Sequence, residues 1–221
     1  MTEHLLEPVF ARFQEEAKGV EVPLTDCQIR QFRIYFLELC EWNRVVRLVS
    51  KADLETIVWV HFFDSITPYP YLTEAGSLLD IGAGAGFPGI PLKIALPELR
   101  LHLLEPRRRK AHFLKHIVRE LGLKHTEVDQ SRFEQFEALG CFHTITCRAF
   151  ASPNEWLPHA SELLDEGGQF LLMLGRRADE QSLRNLMKEL KLNLHACKDF
   201  ELPVVGHRRR IMVLRKDGCF T

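Results

Sequence analysis

The sequence predicts an α/β protein with a mostly parallel sheet of seven strands, preceded by a helical extension. From residue 77 onward, short apolar runs alternate with helical patterns, which is typical of a parallel sheet covered by helices on both faces. Strands are predicted at about 77–82, 100–105, 125–129, 142–148 and 168–174, and helices at about 88–96, 107–121, 154–165 and 179–191. Two extended runs at 194–202 and 208–216 have no helix between them, which predicts an antiparallel hairpin at the sheet edge.

Residues 1–65 are predicted to form the N-terminal helical extension, and residues 66–221 the ligand-binding domain. A first helix has Leu5, Val9 and Phe13 at helical spacing. A second helix begins at Thr25 or Asp26, where either side chain can cap it. Its apolar stripe comprises Ile29, Phe32, Arg33, Phe36, Leu37 and Cys40.

A third helix is predicted from Asp53 to about Ser65. His61, Asp64 and Ser65 lie three and four residues apart on it, so their side chains share one face. These polar groups form either part of a functional site or only the polar edge of a packed helix.

Composition restricts the classes of protein that are possible. A hydrophobic content of 46% supplies one large core, and no apolar run reaches the roughly eighteen residues that a membrane helix needs. The acidic N-terminus does not resemble a signal peptide, and six scattered cysteines without a C-x-x-C pair favour reduced thiols over disulfides or zinc. We therefore expect a cytoplasmic protein with no metal, no membrane association and no obligate protein partner.

A glycine-rich turn follows the first predicted strand. The apolar run ends at Asp80, and Gly82, Gly84 and Gly86 then alternate with alanines before Phe87-Pro88. Glycine allows backbone to approach a ligand closely and to adopt positive φ, so a nucleotide-like cofactor is expected across this turn. The alternative is a loop that only packs the strand against the next helix.

The acids around this turn distinguish between two cofactors. Gly84, Gly86 and Gly89 match the G-x-G-x-x-G fingerprint of dinucleotide-binding proteins, but this match alone is weak. Asp80 precedes the first glycine, and Glu105 ends the next strand about twenty residues further on, where a carboxylate can accept both ribose hydroxyls. The two acids and the terminal hairpin resemble class I S-adenosylmethionine-dependent methyltransferases, and therefore favour S-adenosyl-L-methionine over NAD.

Basic residues cluster at three places. Arg107-Arg108-Arg109-Lys110 opens the helix after the second strand, Arg176-Arg177 follows the fifth strand, and His207-Arg208-Arg209-Arg210 opens the last one. The first two clusters should lie toward the carboxyl edge of the sheet, so a phosphate-bearing substrate such as RNA would explain them. Solvated surfaces with no partner are the alternative.

Several motifs are specific enough to indicate a family. They are Trp42-Asn43, His61 with Asp64-Ser65, the string from Asp80 to Leu92, Phe113-Leu114, the run from Gln130 to Glu134, and Arg148-Ala149-Phe150-Ala151. With them, the sequence from Thr25 to about Lys216 resembles the bacterial ribosomal RNA small-subunit methyltransferase G family, also called glucose-inhibited division protein B.

The resemblance implies methyl transfer from S-adenosylmethionine to N7 of a guanosine in 16S rRNA, either as free RNA or in the small ribosomal subunit. It implies that Gly82 and Phe87 hold the cofactor, that Glu105 takes the ribose, and that Phe133 and Glu134 lie by the adenine. Arg148 would lie at the cofactor mouth, with a structural ion pair as the alternative. The residues predicted to bind the cofactor are Asp80, Gly82, Gly84, Gly86, Phe87, Glu105, Phe133, Glu134 and Arg148. The catalytic residues predicted on this basis are Arg148, His61 and Asp64.

The chain departs from the family pattern at Arg47, Val60, Pro106 and Leu174. These substitutions fall on the side expected to face RNA, whereas the cofactor half is intact. A methyltransferase acting on another RNA or a small molecule is therefore one alternative. A binding module that keeps the fold but acts in assembly or regulation is another.

Overall fold

The computed structural model describes residues 3–138, 141–148, 152–175 and 180–216, and it confirms the predicted α/β fold. Seven strands form one sheet in the order β3-β2-β1-β4-β5-β7-β6. The first five are parallel, and β7 pairs antiparallel with both β5 and β6. The strands are β1 (Ser77–Ile81), β2 (Arg100–Leu104), β3 (Thr126–Asp129), β4 (Phe142–Cys147), β5 (Leu164–Gly175), β6 (Leu192–Glu201) and β7 (Arg208–Lys216).

The described helices follow the predicted order, and none of them is long and apolar enough to cross a membrane. They are α1 (Glu3–Gly19), α2 (Asp26–Asn43), a π-helix (Thr56–Phe63), α3 (Asp64–Ile66), α4 (Gly89–Ala95), α5 (Arg108–Glu120), α6 (Pro153–Ala160) and α7 (Glu180–Glu189).

The largest boundary difference lies between α6 and β5. A helix was predicted to about residue 165 and a strand from 168, but α6 ends at Ala160 and β5 begins at Leu164. The carbonyl of Leu163 already accepts the backbone N–H groups of Cys141 and Phe142, so the chain enters the sheet early. An irregularity in the register with β4 then accommodates the early entry.

The third predicted helix has an unusual form. Thr56–Phe63 is π-helical, with the carboxylate of Asp53 accepting the N–H of Thr56 at its start (2.9 Å), and α3 continues it directly. Five apolar side chains of this segment are buried: Ile57, Val58, Trp59, Phe62 and Phe63. Because π-helical turns are rare and occur often at functional sites, this segment is a place to look for one.

The helical extension shares a core with one face of the sheet. Buried residues of α1, α2 and the π-helix form a single cluster with residues of β1, β2, α4 and α5. The other face of the sheet packs against α6 and α7. The extension is therefore packed directly against the strands that carry the glycine-rich turn.

The predicted apolar stripes of the first two helices were partly wrong. Leu5 of α1 is exposed, and Leu6 is buried in its place. On α2, Leu37 is 45% exposed, whereas Tyr35 and Leu39 are buried. Tyr35 on this buried face contacts the glycine turn through its hydroxyl.

Candidate active site

The loop between β1 and α4 uses its glycines for two different purposes. Gly82, Gly84 and Gly86 have φ values of 70°, 60° and 98°, which side chains other than glycine rarely adopt. A Cβ atom on Gly86 would lie 2.5 Å from Cδ1 of Ile90 and 2.8 Å from Oη of Tyr35, so this position is closed by packing. A Cβ on Gly84 would meet nothing closer than 3.7 Å. A Cβ would therefore fit at Gly84 without a clash, and this half-buried glycine is the part of the turn that a ligand can approach.

Asp80 supports this loop from the protein interior. Its side chain is fully buried, and its Oδ2 accepts the backbone N–H of Gly89 (2.9 Å), the first residue of α4. Burial raises the pKa of the Asp80 carboxyl to about 8. Asp80 was predicted to bind the cofactor, and the structure places it where it fixes the start of α4 relative to the turn.

Glu105 connects the loop after β1 to the loop after β2. Its Oε2 accepts the N–H of Gly84 (2.9 Å), and its Oε1 accepts the N–H of Arg107 (2.8 Å). A carboxylate has about four acceptor sites, so two remain for the hydroxyls of a ribose. The two backbone bonds hold the carboxylate beside Gly84, at the open part of the loop.

Tyr35 is a residue of this site that the sequence prediction missed. Its hydroxyl donates a hydrogen bond to the carbonyl of Ala85 in the middle of the glycine turn, from α2 in the helical extension. Burial raises the pKa of the Tyr35 phenol well above its usual value, so it remains a neutral donor. The available signal was helical periodicity, because Tyr35 follows Phe32 by three residues on the buried face.

The predicted catalytic residues Arg148 and Asp64 form an ion pair. Nη2 of Arg148, just after β4, lies 3.1 Å from Oδ2 of Asp64, and their side chains are 15% and 4% exposed. Arg148 also donates to the hydroxyl of Ser65 (2.9 Å) and to the carbonyl of Val60 (2.8 Å). The guanidinium therefore joins the end of β4 to the end of the π-helix.

Arg209 is a second member of the site that was not predicted. Its Nε lies 3.1 Å from the same Oδ2 of Asp64. Arg209 pairs with Gly175 in the sheet, because antiparallel β7 begins where parallel β5 ends. That topology was the available signal: the first residues of an antiparallel neighbour reach the carboxyl edge of the parallel strands. Two guanidinium groups thus share one carboxylate, whose Oδ1 is buried without a hydrogen-bond partner among the described residues.

His61 lies between this cluster and the glycine loop. Its ring stacks on Phe87, with the centroids 4.9 Å apart and the planes 7° from parallel. Both ring nitrogens are buried and lack a hydrogen-bond partner in the described part of the chain. Burial, followed by the charges of Arg148 and Arg209, lowers the pKa of His61 to about 4. His61 is therefore a neutral imidazole near neutral pH.

Phe87 connects the two halves of the site. The His61 ring stacks on the Phe87 ring, and the guanidinium of Arg148 lies 5.8 Å from the centroid of the Phe87 ring. Tyr35, at a centroid distance of 5.8 Å, contacts it from α2. The predicted residues Phe87, His61, Asp64 and Arg148 are thus brought together at the carboxyl edge of the sheet.

The remaining predicted cofactor residues lie after β3. Phe133 and Glu134 begin a short 3-10 turn, in which the ring of Phe133 is buried and the side chain of Glu134 is exposed. The Phe133 ring makes an edge-to-face contact with His159 at a centroid distance of 6.2 Å. Their roles beside the adenine stay predictions.

The first basic cluster lies next to the glycine loop. Arg107, Arg108 and Arg109 are exposed, and Nζ of Lys110 would lie 3.9 Å from a Cβ placed on Gly84. None of these cations forms an ion pair with another described residue, so their charge is available to a ligand. The second predicted RNA cluster, Arg176 and Arg177, lies outside the described residues.

Known proteins resemble this chain along most of its length. Residues 28–212 match the model of a family described as rRNA small subunit methyltransferase G. The ribosomal RNA small subunit methyltransferase G of Syntrophus aciditrophicus is 36% identical over 212 residues, covering 92% of this chain and 88% of that protein. That of Pelotomaculum thermopropionicum is 34% identical over 216 residues, covering 93% and 89%.

Solved structures share the fold at low sequence identity. Pyrococcus horikoshii TYW2, in complex with MeSAdo, superposes with a TM-score of 0.58 and 12% identity, covering 70% of this chain and 62% of that one. An O-methyltransferase of Thermotoga maritima that depends on SAM has a TM-score of 0.57 and 18% identity, covering 72% and 66%. These similarities concern the architecture that carries the glycine turn.

Proposed function

The chain belongs to the rRNA small subunit methyltransferase G family, and from that membership we propose that it transfers a methyl group from S-adenosylmethionine to N7 of a guanine in 16S rRNA. The observation that carries the proposal is the family match over residues 28–212, which spans the glycine turn, the π-helix and Arg148. The substrate is free 16S rRNA or the small ribosomal subunit, and we expect the enzyme to act in the cytoplasm.

The described residues fit S-adenosylmethionine. Gly84 leaves open the space that a Cβ would occupy, and the Glu105 carboxylate beside it has acceptor sites for the ribose hydroxyls. Tyr35 and Asp80 fix the loop from the interior through Ala85 and Gly89. Bound there, S-adenosylmethionine would supply an electrophilic methyl group to a nucleophile on the acceptor.

The residues beside which the methyl acceptor would bind, His61, Asp64 and Arg148, favour a nucleophile that has no proton to lose. Asp64 is held by two arginines, and Arg148 is a cation that cannot abstract a proton. His61 is a weak base because its pKa is lowered to about 4, and its ring nitrogens are buried. Guanine N7 presents a free lone pair, so positioning and electrostatic stabilisation are sufficient for the reaction. The residues at this edge therefore act by holding the acceptor in line.

The direct test is single-turnover methyl transfer to 16S rRNA and to the small subunit, with the product nucleotide mapped chemically. We expect 7-methylguanine and a rate nearly independent of pH between about 6.5 and 7.5 at saturating RNA, below the pKa of about 8 of the Asp80 carboxyl that supports the glycine turn. Methylation at a different atom or on a different RNA would contradict the proposed specificity. Binding of 16S rRNA without methylation would favour an assembly factor instead.

Cofactor binding can be tested with two matched glycines. Gly84 and Gly122 have φ values of 60° and 62°, and a Cβ would meet only ordinary contacts at 3.7 and 3.9 Å on Gly84 and nothing within 4 Å on Gly122. Alanine at each position therefore carries a similar backbone strain, but only Gly84 borders the proposed cofactor. Calorimetry with S-adenosylhomocysteine should show weakened binding for Gly84→Ala and wild-type binding for Gly122→Ala. Equal binding by both variants, or tight binding of NAD by the wild type, would contradict the assignment.

A further inference from the structure

The outer face of α5 carries a basic stripe that extends well beyond its first turn. Arg108, His112, Lys115 and Arg119 are all exposed. At about 100° per residue they fall within a 60° arc, and at about 1.5 Å per residue they span roughly 16 Å along the helix axis. The only acid within the helix is Glu120, its last residue.

Surface helices usually neutralise such charges, as α1 of the same chain does. Arg12 pairs with Glu16 one turn away, and Lys18 pairs with Glu15. On α5, by contrast, neither Arg108 nor Lys115 has an acidic partner among the described residues. Among the described residues, Arg119 contacts the ring of His116 on its own helix (3.5 Å), and that ring pairs with Glu38 of α2 (2.6 Å). Within the described part of the chain, Arg108 and Lys115 thus have no acidic partner, and the acid nearest to Arg119 in this network, Glu38, reaches it only through the ring of His116.

The placement of the stripe connects it to the candidate active site. The helix begins at the carboxyl edge of the sheet, where Lys110 approaches Gly84, and its opposite side packs on α2 through contacts such as Phe113 with Trp42. The axis of α5 therefore leads away from the glycine loop along an open face. An extended anion that enters the site would continue along this face.

We propose that the outer face of α5 binds the phosphate backbone of the RNA strand that flanks the target nucleotide, with Lys115 and Arg119 as contacts distal to the active site. This inference rests on the proposed function and assigns a surface that the rRNA follows. Phosphate contacts orient a nucleic acid without reading its sequence, so the stripe fixes the register of the strand on the enzyme. The target base itself is selected at the carboxyl edge of the sheet, near His61 and Arg148.

The test compares two double variants with the same change in net charge. Lys115→Ala with Arg119→Ala removes the distal half of the stripe. Lys188→Ala with Lys198→Ala removes two exposed cations on α7 and β6, away from α5. Affinity for 16S rRNA is measured across salt concentrations, and single-turnover methyl transfer is measured at saturating RNA.

The α5 variant should lower the slope of log K against log salt by about 1.4–1.8, since each lost phosphate contact removes roughly 0.7–0.9. Its methyl transfer should reach half of its maximal rate only at a higher RNA concentration than the wild type needs, and the control variant should retain the wild-type slope. An unchanged slope for the α5 variant, or an equal change in both variants, would overturn the proposal. So would weaker binding to the small subunit with an unchanged slope on naked rRNA, which would indicate a protein contact.

The outcome is separable from that of the proposed function. Methylation by the wild-type enzyme tests the function, whereas the salt slope tests the surface and requires only that RNA binds. Because the changed side chains are exposed, we expect both double variants to keep the wild-type fold. Urea unfolding of each variant checks this.

Discussion

The arginines around Asp64 and the cations of α5 are built from the same residue types but have opposite surroundings. Arg148 and Arg209 are largely buried, and they donate to one carboxylate that joins β4, β7 and α3. Arg108 and Lys115 are exposed, and no described acid pairs with either of them. The first group holds the shape of the site, while the second is available to an external anion.

The contrast shows that a run of basic residues in a sequence does not reveal its own role. His207-Arg208-Arg209-Arg210 resembles the run at 107–110, yet its arginines meet acids: Arg208 with Glu201, Arg209 with Asp64 and Arg210 with Asp199. Removal of a paired cation should lower stability most where the pair is buried, as around Asp64, and removal of an unpaired cation should affect binding. Three predictions test this division.

The largest effect is expected from Arg148→Met. Removing one partner of a buried ion pair costs about 3–5 kcal/mol, because the remaining charge stays buried. Arg209 still contacts Asp64, so we expect a value near the lower limit. Urea unfolding measures it, with Arg208→Met as the control, since the exposed pair with Glu201 contributes roughly 0–1 kcal/mol. Equal losses of unfolding free energy in the two variants would show that the buried arginines around Asp64 contribute no more to stability than an exposed ion pair.

The second prediction uses pH to detect the burial of His61 and, after it, the positive charge of Arg148 and Arg209. Its pKa is about 4 in the folded protein and 6.5 in the absence of perturbation, so the unfolded chain binds more protons between these values. The stability gained from the neutral ring is complete above about pH 6.5 and is lost as pH falls toward 4. The loss amounts to at most roughly 3 kcal/mol, from about 1.4 kcal/mol per pKa unit.

His61→Phe keeps an aromatic ring against Phe87 and removes the titration. The unfolding free energy of the wild type minus that of the variant should fall by up to roughly 3 kcal/mol between pH 7 and pH 4, because the wild type loses stability that the variant does not. Parallel curves would show that the imidazole titrates as it does in the unfolded chain. Neither burial nor the charges of Arg148 and Arg209 would then lower the pKa of His61.

The sequence was sufficient for the fold and for the parts of the site that lie in local motifs. Strand and helix alternation predicted the sheet, and the turn after Asp80 was located because glycines and acids occur at fixed spacing within one segment. His61, Asp64 and Arg148 were selected by resemblance, and the structure brings them together around Phe87.

The parts that the sequence did not predict depend on distant segments meeting. Tyr35 reaches Ala85 across fifty positions, and Arg209 reaches Asp64 across 145. Neither pair has a sequence spacing that indicates contact, because packing of α2 and the strand order determine both. Likewise, a polar residue such as Asp80 cannot be identified from sequence as a buried support for α4.

The smallest effect, and the one that separates the two roles most clearly, concerns charge reversal at the ends of α5. Arg108 opens the helix with no acid in its first turn, and a cation is unfavourable there because the N-terminus carries partial positive charge. Arg119 lies in the last turn, where the dipole favours a cation. Arg108→Glu should therefore raise stability by roughly 0.3–1 kcal/mol, and Arg119→Glu should lower it by a similar amount.

Both substitutions should weaken 16S rRNA binding, because each places a negative charge beside phosphate. Thermal unfolding and RNA affinity at one fixed salt concentration measure the two quantities. If Arg108→Glu instead destabilised the protein, Arg108 would be making a favourable contact within the fold and would belong with the paired arginines.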